Sequence, residues 1–327
     1  KMTQPVAMTE IWRGPFLESA HLGHAVVCDD SGQIVESWGD PDLVVLSRSS
    51  AKMIQALPLI ESGAADAAGL TEAQLSFACA SHAGMPIHTN MARDWLKSLE
   101  MDQTHLRCGS HYPYDRDTEV AMIEAHETPC QLHNNCSGKH SGFLTLAKHL
   151  GAGPEYIDPD HPVQKAVLEA FERMTGEASP GFGIDGCSAP NFASTLHGMA
   201  RAMALFAASP SGSAQARLHE AMRKHPEYVA GNGHACTELM RACNGKAAIK
   251  TGAEGFYNAI LPEKKLGISL KIVDGTTRAS ECAIAALLVK YGALEPDHPT
   301  TLTVMNAPIR NRRDIQTGWI RPAPPLL

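Results

Sequence analysis

Residues 23–37 read GHAVVCDDSGQIVES and residues 246–274 read KAAIKTGAEGFYNAILPEKKLGISLKIVD, and these two stretches decide the fold class. The first alternates apolar and polar residues around Asp29-Asp30-Ser31-Gly32, the pattern of a β-hairpin. His21 and His24 fall in the same N-terminal strand region. The second stretch has strand character, with Phe256–Leu261 and Gly267–Val273 joined by Pro262-Glu263-Lys264-Lys265. Beyond it come a helix over Thr277–Tyr291 and a Pro-rich tail, residues 296–327, with a last strand around Thr317–Ile320.

Everything between the two stretches reads as mainly helical. A helix over Ser49–Leu57 starts at a serine cap and ends at Pro58 and Gly63. Thr71 with Gln74 forms a capping-box pattern, and further helices fall near 90–99, 161–174, 190–208 and 212–223. Two loops, Gly109–Asp117, rich in aromatic and turn residues, and Cys130–Ser141, polar and without periodicity, are where a site would sit. Strands at both ends with helices between predict an α+β fold, not a regular Rossmann alternation. One antiparallel sheet is built from the N- and C-terminal segments and covered by helices, with a helical subdomain. The division is 2–60 plus 245–327 for the sheet-bearing part and 61–244 for the helical part, together one catalytic unit.

The chain has 327 residues, 28 Lys plus Arg against 35 Asp plus Glu, and a net charge of −7. That balance argues against nucleic acid or an anionic membrane as the partner. The uncharged run Cys282–Val289 falls far short of the roughly 20 residues that span a bilayer. A Lys before Met2 reads as a cloning remnant, and no apolar targeting segment follows it. Nine cysteines form an odd set without a C-x-x-C pair, so the reading is a cytoplasmic protein with reduced, mostly buried thiols. The 16 histidines include no H-E-x-x-H.

Ser49-x-x-Lys52 places a hydroxyl and an amine one helical turn apart, which suits a nucleophile and its base. Lys52 must be neutral to act so, and burial or a neighbouring cation must supply that state. Lys250-Thr251-Gly252 follows on a strand, and S-x-x-K with K-T-G are two of the three signatures of penicillin-recognising serine enzymes. The third, S-D-N, is missing; Ala80-Ser81-His82-Ala83-Gly84 stands instead. Cys136-Ser137-Gly138-Lys139-His140 and Asp185-Gly186-Cys187-Ser188-Ala189-Pro190 supply two thiols and nitrogen donors for a metal, at a spacing no standard zinc pattern has. Ser188 is a poor nucleophile-elbow candidate because Pro190 replaces the final glycine of G-x-S-x-G.

Five ordered blocks, Arg48–Gln55, Ala80–Gly84, Asn134–His140, Gly183–Cys187 and Lys250–Gly255, resemble the rhizobial-type (class 3) L-asparaginases. The resemblance implies a fold similar to serine β-lactamases and glutaminases, a homodimer, and hydrolysis of L-asparagine to L-aspartate and ammonia. It also implies two Ser-Lys pairs, Ser49 with Lys52 and Ser81 with Lys250, and a zinc site of Cys136, Lys139 and Cys187 with Asp185 close by. Ser49 is then the attacking hydroxyl and Ser81 the alternative. Arg48 offers a bidentate fork for the substrate α-carboxylate, and Asp185 and His140 join it as substrate-binding residues. The rival readings are a β-lactamase- or peptidase-like serine hydrolase using Ser49 alone, a glutaminase, and a non-catalytic zinc-binding protein.

Overall fold

The computed structural model describes residues 3–327; the Lys before Met2, read above as a cloning remnant, lies outside them. The strands in chain order are β1 (Val6–Arg13), β2 (Phe16–Asp29), β3 (Ile34–Trp38), β4 (Val44–Leu46), β5 (Phe182–Ile184), β6 (Pro190–Thr195), β7 (Ala248–Gly252), β8 (Phe256–Leu261), β9 (Leu266–Ile272), β10 (Ala307–Arg310) and β11 (Gln316–Pro322). Two compact units are present. The first takes in the described residues up to Ser50, Ser194–Ala208 and Glu238–Leu327; the second takes in Ala51–Ala193 and Ser209–Thr237.

The first unit carries an antiparallel sheet in the order β10-β11-β1-β2-β9-β8-β7, with β3 also on β2. The branch follows from the 14-residue length of β2. Its first half pairs with β1, from Phe16 opposite Arg13 to Gly23 opposite Val6. Its second half pairs on with β3, Ala25 opposite Trp38 and Cys28 opposite Ile34. The expected hairpin turn is there: the Asp29 carboxylate accepts from the backbone N–H groups of Ser31 and Gln33. Ala25, Val26, Val27 and Cys28 are all fully buried, which requires cover on both faces of the sheet. The helices Leu196–Ala207 and Thr277–Lys290 both pack on it. The apolar run at Cys282–Val289 is thus a core helix, and no helix of the described residues is long and apolar enough to cross a membrane.

The second unit is mainly helical, built from Glu72–Ala78, Pro86–Ser98, Ser137–His149, Pro162–Thr175 and Ala214–Lys224 around a core that includes Phe77, Trp95 and Phe143. The predicted capping box is formed: the Gln74 N–H donates to Thr71 Oγ1, and the Thr71 N–H donates to Gln74 Oε1. The architecture is the α+β class that the two sequence stretches predict.

Several local expectations fail for identifiable reasons. Residues 190–195 are strand, not helix, because they pair with β5, Phe192 opposite Phe182; the helix starts only after Thr195, whose hydroxyl caps it at Gly198. That helix belongs to the sheet-bearing unit, although its residues fall in the part read as mainly helical. The segment read as a loop to Ser141 turns helical at Ser137; every residue from Ser137 to Ala147 is buried, so no apolar stripe marks it. Ser49 lies in a 3₁₀ turn, Arg48–Ala51, ahead of the short helix Lys52–Gln55, and is not its cap. Strand β1, absent from the sequence reading, is broken in register between Ala7 and Thr9, which erases its alternation.

Candidate active site

The functional side chains of the second unit hang on three backbone segments. The first is the helical turn that opens at Lys52. Its side chain is fully buried, and Nζ donates to the carbonyl of Ala80, to Ser81 Oγ at 3.0 Å and to Cys136 Sγ at 3.1 Å. Three acceptors thus surround the amine.

The second segment is the extended stretch after the helix Glu72–Ala78. Backbone bonds fix it on several sides: Ser81 N to Val229 O, His82 N to Asn135 O and Ala83 N to Ala230 O, all between 2.8 and 3.1 Å. Ser81 is half-buried there.

The third is the N-terminal turn of Ser137–His149 with the loop before it. Asn134 braces this loop, accepting from Cys136 N–H at 2.7 Å and donating to Cys108 O at 3.0 Å. Gly138 lets the turn dock, since a Cβ at that position would lie 2.2 Å from Phe77 O. Lys139, 3% exposed, donates to Cys187 Sγ at 3.3 Å. Cys187 sits in the tight turn between β5 and β6, closed by Ser188 N–H on Asp185 O at 2.9 Å.

The electrostatics of this cluster are asymmetric. A hydrogen bond from Cys136 holds the Cys187 thiol well below the usual range despite its burial, and the Lys139 charge adds to this. The same hydrogen bond, then burial, pushes the Cys136 thiol up to about 12. Burial works to lower Lys139, but Cys187, Cys136 and Asp185 outweigh it and raise the amine. These shifts favour the charged forms of Lys139 and Cys187, with the Cys136 thiol donating to Cys187.

His140 is neutral: burial first, then the Lys139 charge, push it down to about 3. The Tyr156 hydroxyl accepts from Arg107 N–H at 2.7 Å, so its own proton points at His140 Nδ1, 2.6 Å away. His140 Nε2 therefore carries the ring hydrogen, and it is buried without a hydrogen-bond partner.

Among the described residues no group of three or more His, Cys, Asp and Glu side chains is placed to hold a metal. Cys136, Lys139 and Cys187, the set that the resemblance names for zinc, come together here, with an amine as the third donor. Two sulfurs and a nitrogen, Cys136 and Lys139 on one turn and Cys187 on another, are a donor set that tetrahedral zinc with an open fourth position would accept. Binding would require Lys139 and Cys136 to release protons.

The first unit holds the remaining candidates, Arg48, Ser49 and Lys250. Arg48 has φ of 52°, a left-handed conformation that costs a non-glycine residue energy and recurs at functional turns. Lys250 is fully buried on β7, opposite Asn258 of β8, and its Nζ donates to Thr251 O at 2.7 Å. Gly252 is there because a Cβ would lie 2.4 Å from Ser47 O, so only glycine lets β7 lie against the turn bearing Ser49. Asn258 secures that turn by donating to Ser50 O and Oγ, both at 3.1 Å, while accepting from Ser269 at 2.6 Å.

The sequence reading paired Ser49 with Lys52 and Ser81 with Lys250; the second unit shows Lys52 itself donating to Ser81. It also gathered Cys136, Lys139 and Cys187 as the structure does. It contained Asn134 and His82 in its blocks without giving them a role, and it missed Asn258. Asn258 left a signal, a polar residue amid the apolar strand Phe256–Leu261.

The family profile described as L-asparaginase II matches residues 9–322 of the chain. No curated protein matches it. Among solved structures, the chain is similar to Mglu in its tris and glutamate form at 13% identity and TM-score 0.47, covering 89% of this chain and 64% of that one. It is similar to a beta-lactamase from Mycobacterium bovis at 15% identity and TM-score 0.43, covering 82% and 94%.

Proposed function

The chain belongs to the L-asparaginase II family, and from that premise we propose that it hydrolyses the side-chain amide of L-asparagine to L-aspartate and ammonia through a lysine-activated serine. The observation that carries this reading is the 3.0 Å bond between buried Lys52 Nζ and Ser81 Oγ, a proton-transfer distance. In the forward step a serine Oγ attacks the amide carbon while Lys52, in its neutral form, takes the hydroxyl proton. Lys52 then returns that proton to the leaving nitrogen, ammonia departs and an acyl-serine ester remains. Water hydrolyses the ester by the same proton route in reverse.

Ser81 is the hydroxyl the geometry favours for the attack. Ser49, three residues before Lys52 in the chain, is the competing nucleophile. Resemblance assigns Lys250 to proton relay with Ser81, Arg48 to the substrate α-carboxylate, and Asp185 and His140 to substrate contact. The unpartnered Nε2–H of His140 suits a donor role. Cys136, Lys139 and Cys187 would hold zinc, which when bound supplies a Lewis-acidic contact. A homodimer goes with the same reading and is checked by light scattering.

The test is ammonia release from L-asparagine and L-glutamine by the wild type, Ser49→Ala and Ser81→Ala. Release from asparagine in preference to glutamine, abolished in Ser81→Ala, is the expected result. Quenching during turnover and peptide mapping should find the acyl group on the Ser81 peptide. An acyl group on Ser49 would instead give the attack to the first Ser-Lys pair, and no release from either amide would end the amidohydrolase reading.

A further inference from the structure

We propose that His82 is a positioning residue that holds Ser81 on Lys52 by clamping the Ser81 segment to the N-terminal turn that bears Cys136 and Lys139. This rests on the amidohydrolase reading above and gives a role to a residue that the Ala80–Gly84 block contains but the proposed chemistry does not use.

The bonds of the His82 ring determine its tautomer. Gly84 N–H donates to Nδ1 at 3.0 Å, so Nδ1 carries no hydrogen and Nε2 does. Nε2–H then donates to Ser137 Oγ at 2.7 Å, and Ser137 passes its own proton to Leu132 O at 3.0 Å. Every polar atom of this relay is satisfied in one direction only. The ring is fully buried and stacks against both Phe77 and His88, at centroid distances of 5.1 and 4.8 Å, the three rings forming one cluster with Phe77 and His88 6.2 Å apart. Its backbone N–H is tied to Asn135 O.

The position of this clamp gives it a consequence beyond packing. His82 follows Ser81 directly and Ser137 follows Cys136 directly, and Ser81 Oγ and Cys136 Sγ are two of the acceptors on Lys52. The His82–Ser137 bond therefore adds a side-chain tie, beside the backbone bond from His82 N to Asn135 O, between the two segments that meet on Lys52. Without it the backbone bonds alone hold the Ser81 segment, the ring no longer resists a small rotation of Ser81 Oγ away from the amine, and a shift of about 1 Å at such a pair costs about 100-fold in rate.

The experiment compares His82→Leu, His82→Gln, Ser137→Ala, Ser137→Thr and His82→Leu/Ser137→Ala in asparagine turnover. His82→Leu should lower kcat by about 100-fold with KM within about twofold, and Ser137→Ala should act in the same direction. His82→Gln, which can still donate to Ser137, and Ser137→Thr, which keeps the hydroxyl, should recover most of the loss. The double variant should be no slower than His82→Leu, because both changes remove one bond. Retained kcat in His82→Leu, a change in KM alone, or losses that multiply would each overturn the proposal. Should His82→Leu not fold, the Ser137→Ala and Ser137→Thr pair decides between the same two outcomes. If the wild type turns over no amide, the function reading fails and the clamp is judged by the labelling rate of Ser81 with a fluorophosphonate. Slower labelling in His82→Leu and Ser137→Ala supports it; equal rates, or no labelling of Ser81 in the wild type, overturn it.

Discussion

At the residue scale, the proposed proton path runs through Lys52, which is fully buried among partners that satisfy its amine. A lysine in the open would snorkel to water; this one has the Ala80 carbonyl, Ser81 and Cys136 within reach. Replacing it with Met keeps the length and removes the amine. Lys52→Met is expected to lower asparagine turnover by about 10²–10⁴-fold, the usual contribution of a general base, in a protein that still melts cooperatively. Steady-state ammonia release checks this, and a Met variant at the wild-type rate would remove Lys52 from the proton path. The S-x-x-K spacing made Lys52 visible in the sequence. It could not name Ser81 as a partner, because the residues lie 29 apart and meet only when the segment after Ala78 folds back.

At the element scale, the turn bearing Ser49 owes its shape to β7 and β8. Gly252 permits close approach and Asn258 supplies two hydrogen bonds, so the turn is held by a strand surface rather than by its own residues. Gly252→Ala places a methyl group 2.4 Å from Ser47 O and must push the two apart. The expected cost is about 1–3 kcal/mol, the usual range for overpacking, read as a lower urea midpoint at unchanged slope. An unshifted midpoint would mean that β7 and the turn are not in contact. K-T-G was legible as a motif, but the reason for its glycine was not, since that reason is a carbonyl more than two hundred residues earlier in the chain.

At the scale of the whole molecule, several histidines are folded in as neutral groups, and this sets the acid side of its stability. Burial holds His88 down to about 4, against a modest opposing bond to Glu227 O, and burial followed by the Arg223 charge holds His219 down to about 4. Unfolded histidines take a proton near pH 6.5, while these two stay neutral in the native state until about pH 4. The unfolded chain therefore binds more protons across that window, and stability falls as pH drops from about 6.5 to about 4. Each site contributes a loss of about 1.4 kcal/mol per pH unit there, or about 2 kcal/mol by pH 5. Urea unfolding at pH 7.5 and pH 5 measures it; equal midpoints would show that the imidazoles gain proton partners in the native state.

The sequence by itself determined the α+β class, the hairpin at Asp29–Gly32, the Thr71–Gln74 capping box and the candidate residue types, because these follow from periodicity, turn chemistry and spacing within a few residues. It did not determine β1, whose bulge hides its alternation, or the helix at Ser137, whose burial on all sides leaves no polar face. Nor did it determine which serine Lys52 holds, the Cys136–Cys187 hydrogen bond, or the roles of Asn258 and His82. Those depend on buried polar groups finding donors and acceptors far along the chain. Only the folded packing, in which such groups must be paired or bear the cost of desolvation, decides them.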